Sequence, residues 1–106
     1  RHAEAEAYFR QSLHLYRQAE QPWGIARALN TLGIVAMDAG DYAAAIEHMK
    51  QADMTDPFHV LILARSYEKS GNTAEAQKLY KQIVDSKVSN IERAIAYPEA
   101  KSKLKG

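Results

Sequence analysis

The chain has 106 residues, of which 46% are apolar and 25% are charged, and its formal net charge is +1. This composition is typical of one small globular domain, and a charge so close to zero gives no reason to expect nucleic acid as a partner. The chain contains no cysteine, which excludes thiolate catalysis, disulfides and cysteine-ligated metal sites. No apolar run approaches the roughly 18 residues that span a bilayer, so no membrane partner is expected.

Apolar residues at helical spacing begin near the N-terminus. They predict a first helix over about residues 2–20. One apolar stripe comprises Ala5, Phe9, Leu13 and Tyr16, and a second comprises Tyr8, Leu15 and Ala19. Two stripes indicate that this helix has two neighbours. Pro22 ends the first helix or opens the second, because proline is tolerated in a first helical turn but not in a helix interior.

Four further helices are predicted, arranged as two hairpins. They cover about residues 23–39, 42–54, 58–70 and 73–85. The dipeptide Asp56-Pro57 separates the two hairpins, because proline breaks a continuing helix.

Turn and cap residues support these boundaries. Gly40 and Gly71 supply the left-handed conformation that a tight turn after a helix requires. Asp41 can cap the third helix, and Asn72 with Glu75 has the spacing of a capping box for the fifth. Each predicted hairpin therefore has its own turn signal.

A last helix is predicted from about residue 90, where Ser89 and Glu92 repeat the capping spacing. It is expected to kink or restart at Tyr97-Pro98, because a residue before proline avoids the helical region. The residues expected to cover the apolar side of the fifth helix are Ile91, Ala94, Ile95 and Leu104.

Charge is unevenly distributed along the chain. Residues 1–77 hold seven basic and ten acidic groups, whereas residues 78–106 hold seven basic and three acidic groups. The basic residues of this second part are Lys78, Lys81, Lys87, Arg93, Lys101, Lys103 and Lys105. Such an excess can attract acidic partners, or it can complement helix dipoles and keep the last helix soluble.

The two hairpins share one residue pattern. The first reads Leu29-x2-Leu32-Gly33-x2-Ala36, Gly40-x-Tyr42 and Ala45-x3-Met49-x2-Ala52; the second reads Val60-x2-Leu63-Ala64-x2-Tyr67, Gly71-x-Thr73 and Ala76-x3-Tyr80-x2-Ile83. The first helix supplies only the second half, as Ala5-x3-Phe9-x2-Ser12. Gly33 and Ala45 lie at similar distances from the Gly40 turn, which predicts a close contact between the two helices there.

These residues resemble the tetratricopeptide repeat, whose signature is W-x2-L-G-x2-Y, then A-x3-F, then P. Leu29 and Val60 replace the aromatic opener, Ala36 replaces the tyrosine of the first repeat, and Ala64 replaces the glycine of the second. The resemblance implies an all-α fold, a right-handed superhelix of helical hairpins. It implies one domain over 1–106, with a half repeat at 1–20, repeats at 23–57 and 58–88, and a capping helix at 89–106.

The resemblance also implies a binding surface. In the family, the first helices of successive hairpins line a concave groove that holds a peptide or a helix of a partner protein. The candidate groove residues are Arg27, Asn30, Ile34 and Met37 from the second helix and Phe58, Leu61, Arg65 and Glu68 from the fourth. For Phe58 and Leu61, a position in the hydrophobic core is an equal alternative to a position in the groove.

A receptor for acidic C-terminal tails is not favoured. The family's clamp for such tails needs a set of lysines and asparagines, of which only Asn30 is present. Ile34 and Leu61 stand where polar clamp groups would be expected. The resemblance therefore favours a groove of mixed apolar and polar character.

No pattern of residues indicates an enzyme, a metal site or a cofactor. The histidines His2, His14, His48 and His59 show no i, i+4 pairing on one helix, and the serines have no nucleophile-elbow context. Two functions remain: a module that binds a peptide or protein, and a self-assembly segment of a larger repeat protein. The second is motivated by the first helix, whose hairpin partner would precede Arg1, so Tyr8, Phe9 and Ser12 are expected to border an exposed apolar patch that supports a weak homo-oligomer.

Overall fold

The computed structural model describes residues 2–53, 55–86 and 91–104. It contains six helices: α1 (His2–Gln18), α2 (Pro22–Asp38), α3 (Tyr42–Lys50), α4 (Pro57–Lys69), α5 (Thr73–Asp85) and α6 (Ile91–Lys103). No strand occurs in these ranges, so the prediction of an all-helical fold is confirmed.

The turns within the two hairpins form as predicted. Gly40 and Gly71 have φ angles of +80° and +94°, a conformation that strains a residue with a Cβ atom. The Asp41 side chain accepts a hydrogen bond from the Ala44 backbone N–H at 3.1 Å. The Asn72 side chain accepts one from the Glu75 N–H at 3.3 Å.

Proline marks the start of two helices. Pro22 opens α2, and Pro57 opens α4 behind an Asp56 cap whose side chain accepts from the Phe58 N–H at 2.9 Å. The third helix ends at Lys50, earlier than the predicted residue 54, which lies outside the described residues.

Successive helices pack against each other, and α2, α4 and α6 also contact one another in a row. We call these three helices the inner row, and α1, α3 and α5 the outer row. The inner-row helices α4 and α6 are parallel, because Arg65 pairs with Glu99 and, one turn later, Glu68 pairs with Lys103. The result is an elongated stack measuring 43 × 29 × 17 Å.

The fourth helix forms the centre of this stack. Its buried residues are Pro57, His59, Val60, Leu61, Ile62, Leu63, Ala64 and Ser66. One face packs on Tyr80 and Ile83 of α5, and another packs on Met49 of α3. Burial on several faces is expected of an inner-row helix that has neighbours on both sides.

Gly33 does allow a close approach between α2 and α3, but its nearest neighbours differ from the prediction. A Cβ atom at this position would meet Sδ of Met49 at 2.5 Å and Cγ2 of Ile62 at 3.4 Å. Ala45 is fully buried but is not among the nearest atoms. Met49 therefore occupies the space that Gly33 leaves empty.

The predicted packing of the last helix is wrong for Ile91, Ala94 and Ile95, which are exposed, and is confirmed for Leu104, which packs against the core shared with α5. Ile91 and Ile95 are 74% and 60% exposed, and the face of α6 that meets α4 and α5 consists of Ala96 and Ala100, with Leu104 beside them. Small residues form this contact because they let the backbones of neighbouring helices approach closely. The helix also runs through Pro98 without a restart. The proposed Ser89 cap lies outside the described residues.

Candidate functional site

The inner row carries an open cavity of about 360 Å³. Its lining comes from all three inner-row helices and the residue before α4: Trp23, Ala26, Arg27, Asn30, Thr31, Ile34, Asp56, Phe58, His59 and Glu92. We call it the groove cavity. It brings together four of the predicted groove residues, namely Arg27, Asn30, Ile34 and Phe58.

One end of the groove cavity is aromatic and basic. Trp23, in the first turn of α2, is 74% exposed. The guanidinium carbon of Arg27 lies 5.6 Å from the centre of the Trp23 ring, within the range of a cation–π interaction. The two side chains therefore hold each other in place, and both are accessible to a ligand.

Asn30 has an unusual environment in the middle of this surface. Its side chain is half-buried, and its amide oxygen is buried without a hydrogen bond to any described residue. A buried acceptor without a partner costs about 1–3 kcal/mol. Asn30 also lines the cavity, so a ligand N–H that reaches this oxygen can donate to it.

The apolar part of the cavity comes from Ile34 and Phe58. Phe58 is half-buried and packs against the core from its position at the start of α4. Phe58 therefore contacts the core and also lines the cavity. An apolar ligand side chain can contact Ile34 and Phe58 together.

The acidic residues of the cavity include Asp56, which lies directly before α4. The buried His59 donates from Nδ1–H to the Asp53 carbonyl oxygen at 2.9 Å, and its Nε2 lies 3.8 Å from Asp56 Oδ2. The side chain and N–H of Thr55 donate to Asp53, which lowers the pKa of that carboxyl. Asp56 and Glu92, the latter from α6, add two carboxylates to the cavity that Arg27 also lines.

The other four predicted groove residues serve internal contacts. Leu61 is 1% exposed and belongs to the core, the alternative that the sequence left open. Ser66 Oγ lies 3.8 Å from Met37 Sδ, so Met37 bridges α2 and α4. Arg65 and Glu68 form ion pairs with residues of α6.

Two ion pairs join α4 to α6. Arg65 forms a two-point pair with Glu99, with Nε 2.5 Å from Oε2, and Lys103 lies 3.2 Å from Glu68 Oε1. Hydrogen bonds from Arg65 lower the pKa of Glu99, although partial burial opposes this effect. The Tyr80 hydroxyl donates to Glu68 at 3.0 Å. These groups are engaged within the fold, so they are less available to a ligand than Arg27 and Asn30.

Sequence reasoning missed six lining residues: Trp23, Ala26, Thr31, Asp56, His59 and Glu92. A signal existed for Trp23, which lies four residues before Arg27 on the same helix and therefore on the same face. The sequence carries no comparable signal for Glu92, because the proximity of this residue to α2 and α4 depends on how α6 packs against them.

The described residues contain no cluster of three or more side chains suited to a metal ion. Within the same residues, no helix is both long and apolar enough to cross a membrane.

Comparison with known protein families identifies the repeat. A family model described as tetratricopeptide repeat matches residues 36–96, more than half of the chain. The chain belongs to the tetratricopeptide repeat family, whose helical hairpins stack into a superhelix, and whose members generally act as non-catalytic protein-interaction modules. No curated protein and no solved structure matched the chain.

Proposed function

We propose that this chain binds an extended peptide segment of a partner protein across its inner row, in the groove cavity. The observation that carries the proposal is the half-buried Asn30, whose buried amide oxygen has no partner among the described residues. A peptide offers an N–H at every residue except proline, so it supplies the missing donor.

The surroundings of Asn30 define the peptide further. Ile34 and Phe58 accept an apolar side chain, and the exposed Trp23 ring provides a large rigid surface of the type that dominates protein interfaces. Arg27 at one end and Glu92 at another favour a segment with an acidic and a basic group flanking the apolar anchor. A ligand made of carboxylates alone would be repelled by the acidic side of the cavity.

The proposal is tested with peptides selected from a random displayed library and measured by fluorescence anisotropy. Asn30→Leu removes the acceptor and is expected to weaken binding about threefold to tenfold, the value of one hydrogen bond. Asn30→Asp keeps an acceptor oxygen and retains more affinity. The free energy of unfolding should not fall in Asn30→Leu, because the substitution removes an unsatisfied buried oxygen.

Further variants test whether the peptides bind in this cavity or on another surface. Trp23→Ala should weaken binding about tenfold or more, since tryptophan anchors contribute most at interfaces. Thr73→Ala, at the exposed start of α5, serves as the control and should bind as the wild type does. Selected peptides that bind equally to the Asn30→Leu, Trp23→Ala and wild-type chains would disprove the proposal.

A further inference from the structure

A second cavity, of about 200 Å³, lies between the outer-row helices α1 and α3. Within the described residues, the backbones of these two helices do not approach each other closely, because each packs on α2. The space between them is lined by Leu32 of α2, by Arg10, Leu13, His14 and Arg17 of α1, and by His48 and Gln51 from α3 and its end. We call it the outer cavity.

Helical spacing brings the basic groups of α1 to this cavity. Four of the lining residues recur at positions i, i+3, i+4 and i+7: Arg10, Leu13, His14 and Arg17. Residues with this spacing share one face of a helix. Leu13 is buried in the core shared with α2, whereas the other three are exposed. Among the described residues that line the outer cavity, none is acidic.

Arg17 is held across the outer cavity by Gln51. Its Nη2 donates to Gln51 Oε1 at 2.8 Å, which joins the end of α1 to the end of α3. A guanidinium group has five N–H donors in a fixed planar arrangement, and this bond uses one of them. Gln51 therefore orients the Arg17 guanidinium without using up its donors.

Arg10 has a partner that a stronger anion can replace. Its Nε donates to Glu6 Oε1 at 2.9 Å, but the two side chains are 57% and 36% exposed. Such a pair contributes little to stability, because water and salt screen it. An anion with two negative charges competes effectively with a single carboxylate for this guanidinium.

His48 supplies the observation that points to a ligand. Its side chain is only 5% exposed, it lines the outer cavity, and its Nε2 is buried without a hydrogen bond to any described residue. Most buried polar atoms in folded proteins are paired, and an unpaired one is unfavourable. An anion oxygen that reaches Nε2 provides the missing partner, because a protonated ring nitrogen is a hydrogen-bond donor.

We propose that the outer cavity binds a phosphate group, either free or as the head of a small phosphate ester. Arg10 and Arg17 line the cavity from α1 and His48 lines it from α3, so donors from two helices surround one space. A phosphate ester carries about −1.5 to −2 charges at pH 7 and has three acceptor oxygens. Planar guanidinium groups bind such oxygens in two-point contacts. A carboxylate has less charge and fewer acceptors, so it should bind more weakly.

This site is separate from the peptide site. Among the described residues, no side chain lines both the outer cavity and the groove cavity. The helix α2 contributes Leu32 to the first and Asn30 to the second. Failure of peptide binding would therefore leave the phosphate proposal standing, and the reverse is also true.

The test follows the backbone amide chemical shifts of the 106-residue chain by NMR as inorganic phosphate is added, with the ionic strength fixed by sodium chloride. The shifts should saturate and be concentrated in residues 10–17 and 47–52. Arg17→Gln changes an exposed residue, so helix content should stay the same, and phosphate affinity should fall about tenfold or more, the value of a charge-assisted hydrogen bond.

A matched control separates this site from a general effect of charge. Lys50→Gln removes one positive charge from an exposed position on α3 that does not line the outer cavity, and it should bind phosphate as the wild type does. If Arg17→Gln also binds as the wild type does, the proposal is wrong. Shifts that do not saturate, or that spread over the basic residues 78–106, would overturn it as well.

Two further ligands identify the chemistry and its source. Glycerol phosphate that binds as tightly as inorganic phosphate would assign the outer cavity to small phosphate esters, whereas binding of inorganic phosphate alone would assign it to the free ion. Acetate should bind more weakly than inorganic phosphate. Acetate that binds equally well would contradict the proposal, because the site would then recognise any anion.

A pH series with sulfate, which stays doubly charged throughout, tests the contact with His48. The charged groups around this ring are Arg10 and Glu6 of α1 and Asp41 and Glu47 beside it, with His14 on the same cavity. A bound dianion favours the protonated imidazole, so sulfate affinity should rise as the pH falls from 8 to 6. The rise should be smaller in His48→Gln than in the wild type. Equal rises in the two chains would overturn the proposed contact.

Discussion

Substitution of Gly33 by alanine should destabilise the chain through one specific clash. The added Cβ atom would lie 2.5 Å from Sδ of Met49 and 3.1 Å from its Cγ. The shorter distance is about 1 Å below the optimal separation of non-bonded atoms. Met49 has no exposed surface, so it cannot move into solvent, and the displacement must be absorbed within the core formed with Ile62 and Leu63.

The net effect combines two opposing contributions. Overpacking a well-filled core costs about 1–3 kcal/mol. Replacing glycine by alanine in a helix stabilises the helix by about 0.8–1 kcal/mol. We expect Gly33→Ala to lower the free energy of unfolding by about 1 kcal/mol, which corresponds to a fall in Tm of about 4–8 °C for a domain of this size.

A double-mutant cycle assigns the effect to Met49. Urea unfolding is measured for Gly33→Ala, for Met49→Ala, which alone should cost about 2–5 kcal/mol, and for the double variant. The double variant should be more stable than the sum by about 1 kcal/mol, because the new methyl group then occupies vacated space. In the control cycle, Gly40→Ala is strained by its positive φ but contacts nothing within 4 Å, so it should add to Met49→Ala without coupling. Additive effects in the Gly33 cycle would refute the proposed clash.

Two further predictions concern side chains whose partners lie far away in the sequence. Arg65→Ala should lower the free energy of unfolding by about 1 kcal/mol, a value limited by the partial exposure of its pair with Glu99, and it should have no further effect in a Glu99→Gln background. Burial, together with the nearby Arg10, lowers the pKa of His48. The unfolded chain therefore binds a proton at the His48 imidazole more readily than the folded chain does, so the free energy of unfolding should fall as the pH drops below about 6.5. Thermal melts between pH 7 and 5 should show a smaller loss of Tm for His48→Gln than for the wild type. An identical loss in the two chains would contradict this assignment.

The sequence by itself determined the order of the helices and the turns within the two hairpins. The left-handed Gly40 and Gly71, the caps at Asp41 and Asn72, and the start of α4 at Pro57 depend on atoms within about four residues of each other. Local interactions of this kind can be predicted without knowledge of the rest of the fold. The repeat pattern then indicated which helices pair as hairpins.

Only the tertiary structure decided which face of α6 is buried and which inner-row residues remain free. The sequence of α6 offers both an isoleucine face and an alanine face, and hydrophobicity alone favours the isoleucines. Close approach to α4 and α5 instead requires the small Ala96 and Ala100. The same docking brings Glu99 to Arg65, thirty-four residues away, and so engages Arg65 in an ion pair within the fold. The groove cavity is formed by Asn30, Phe58 and Glu92 from three separate helices, because side chains distant in sequence become neighbours only when the helices stack.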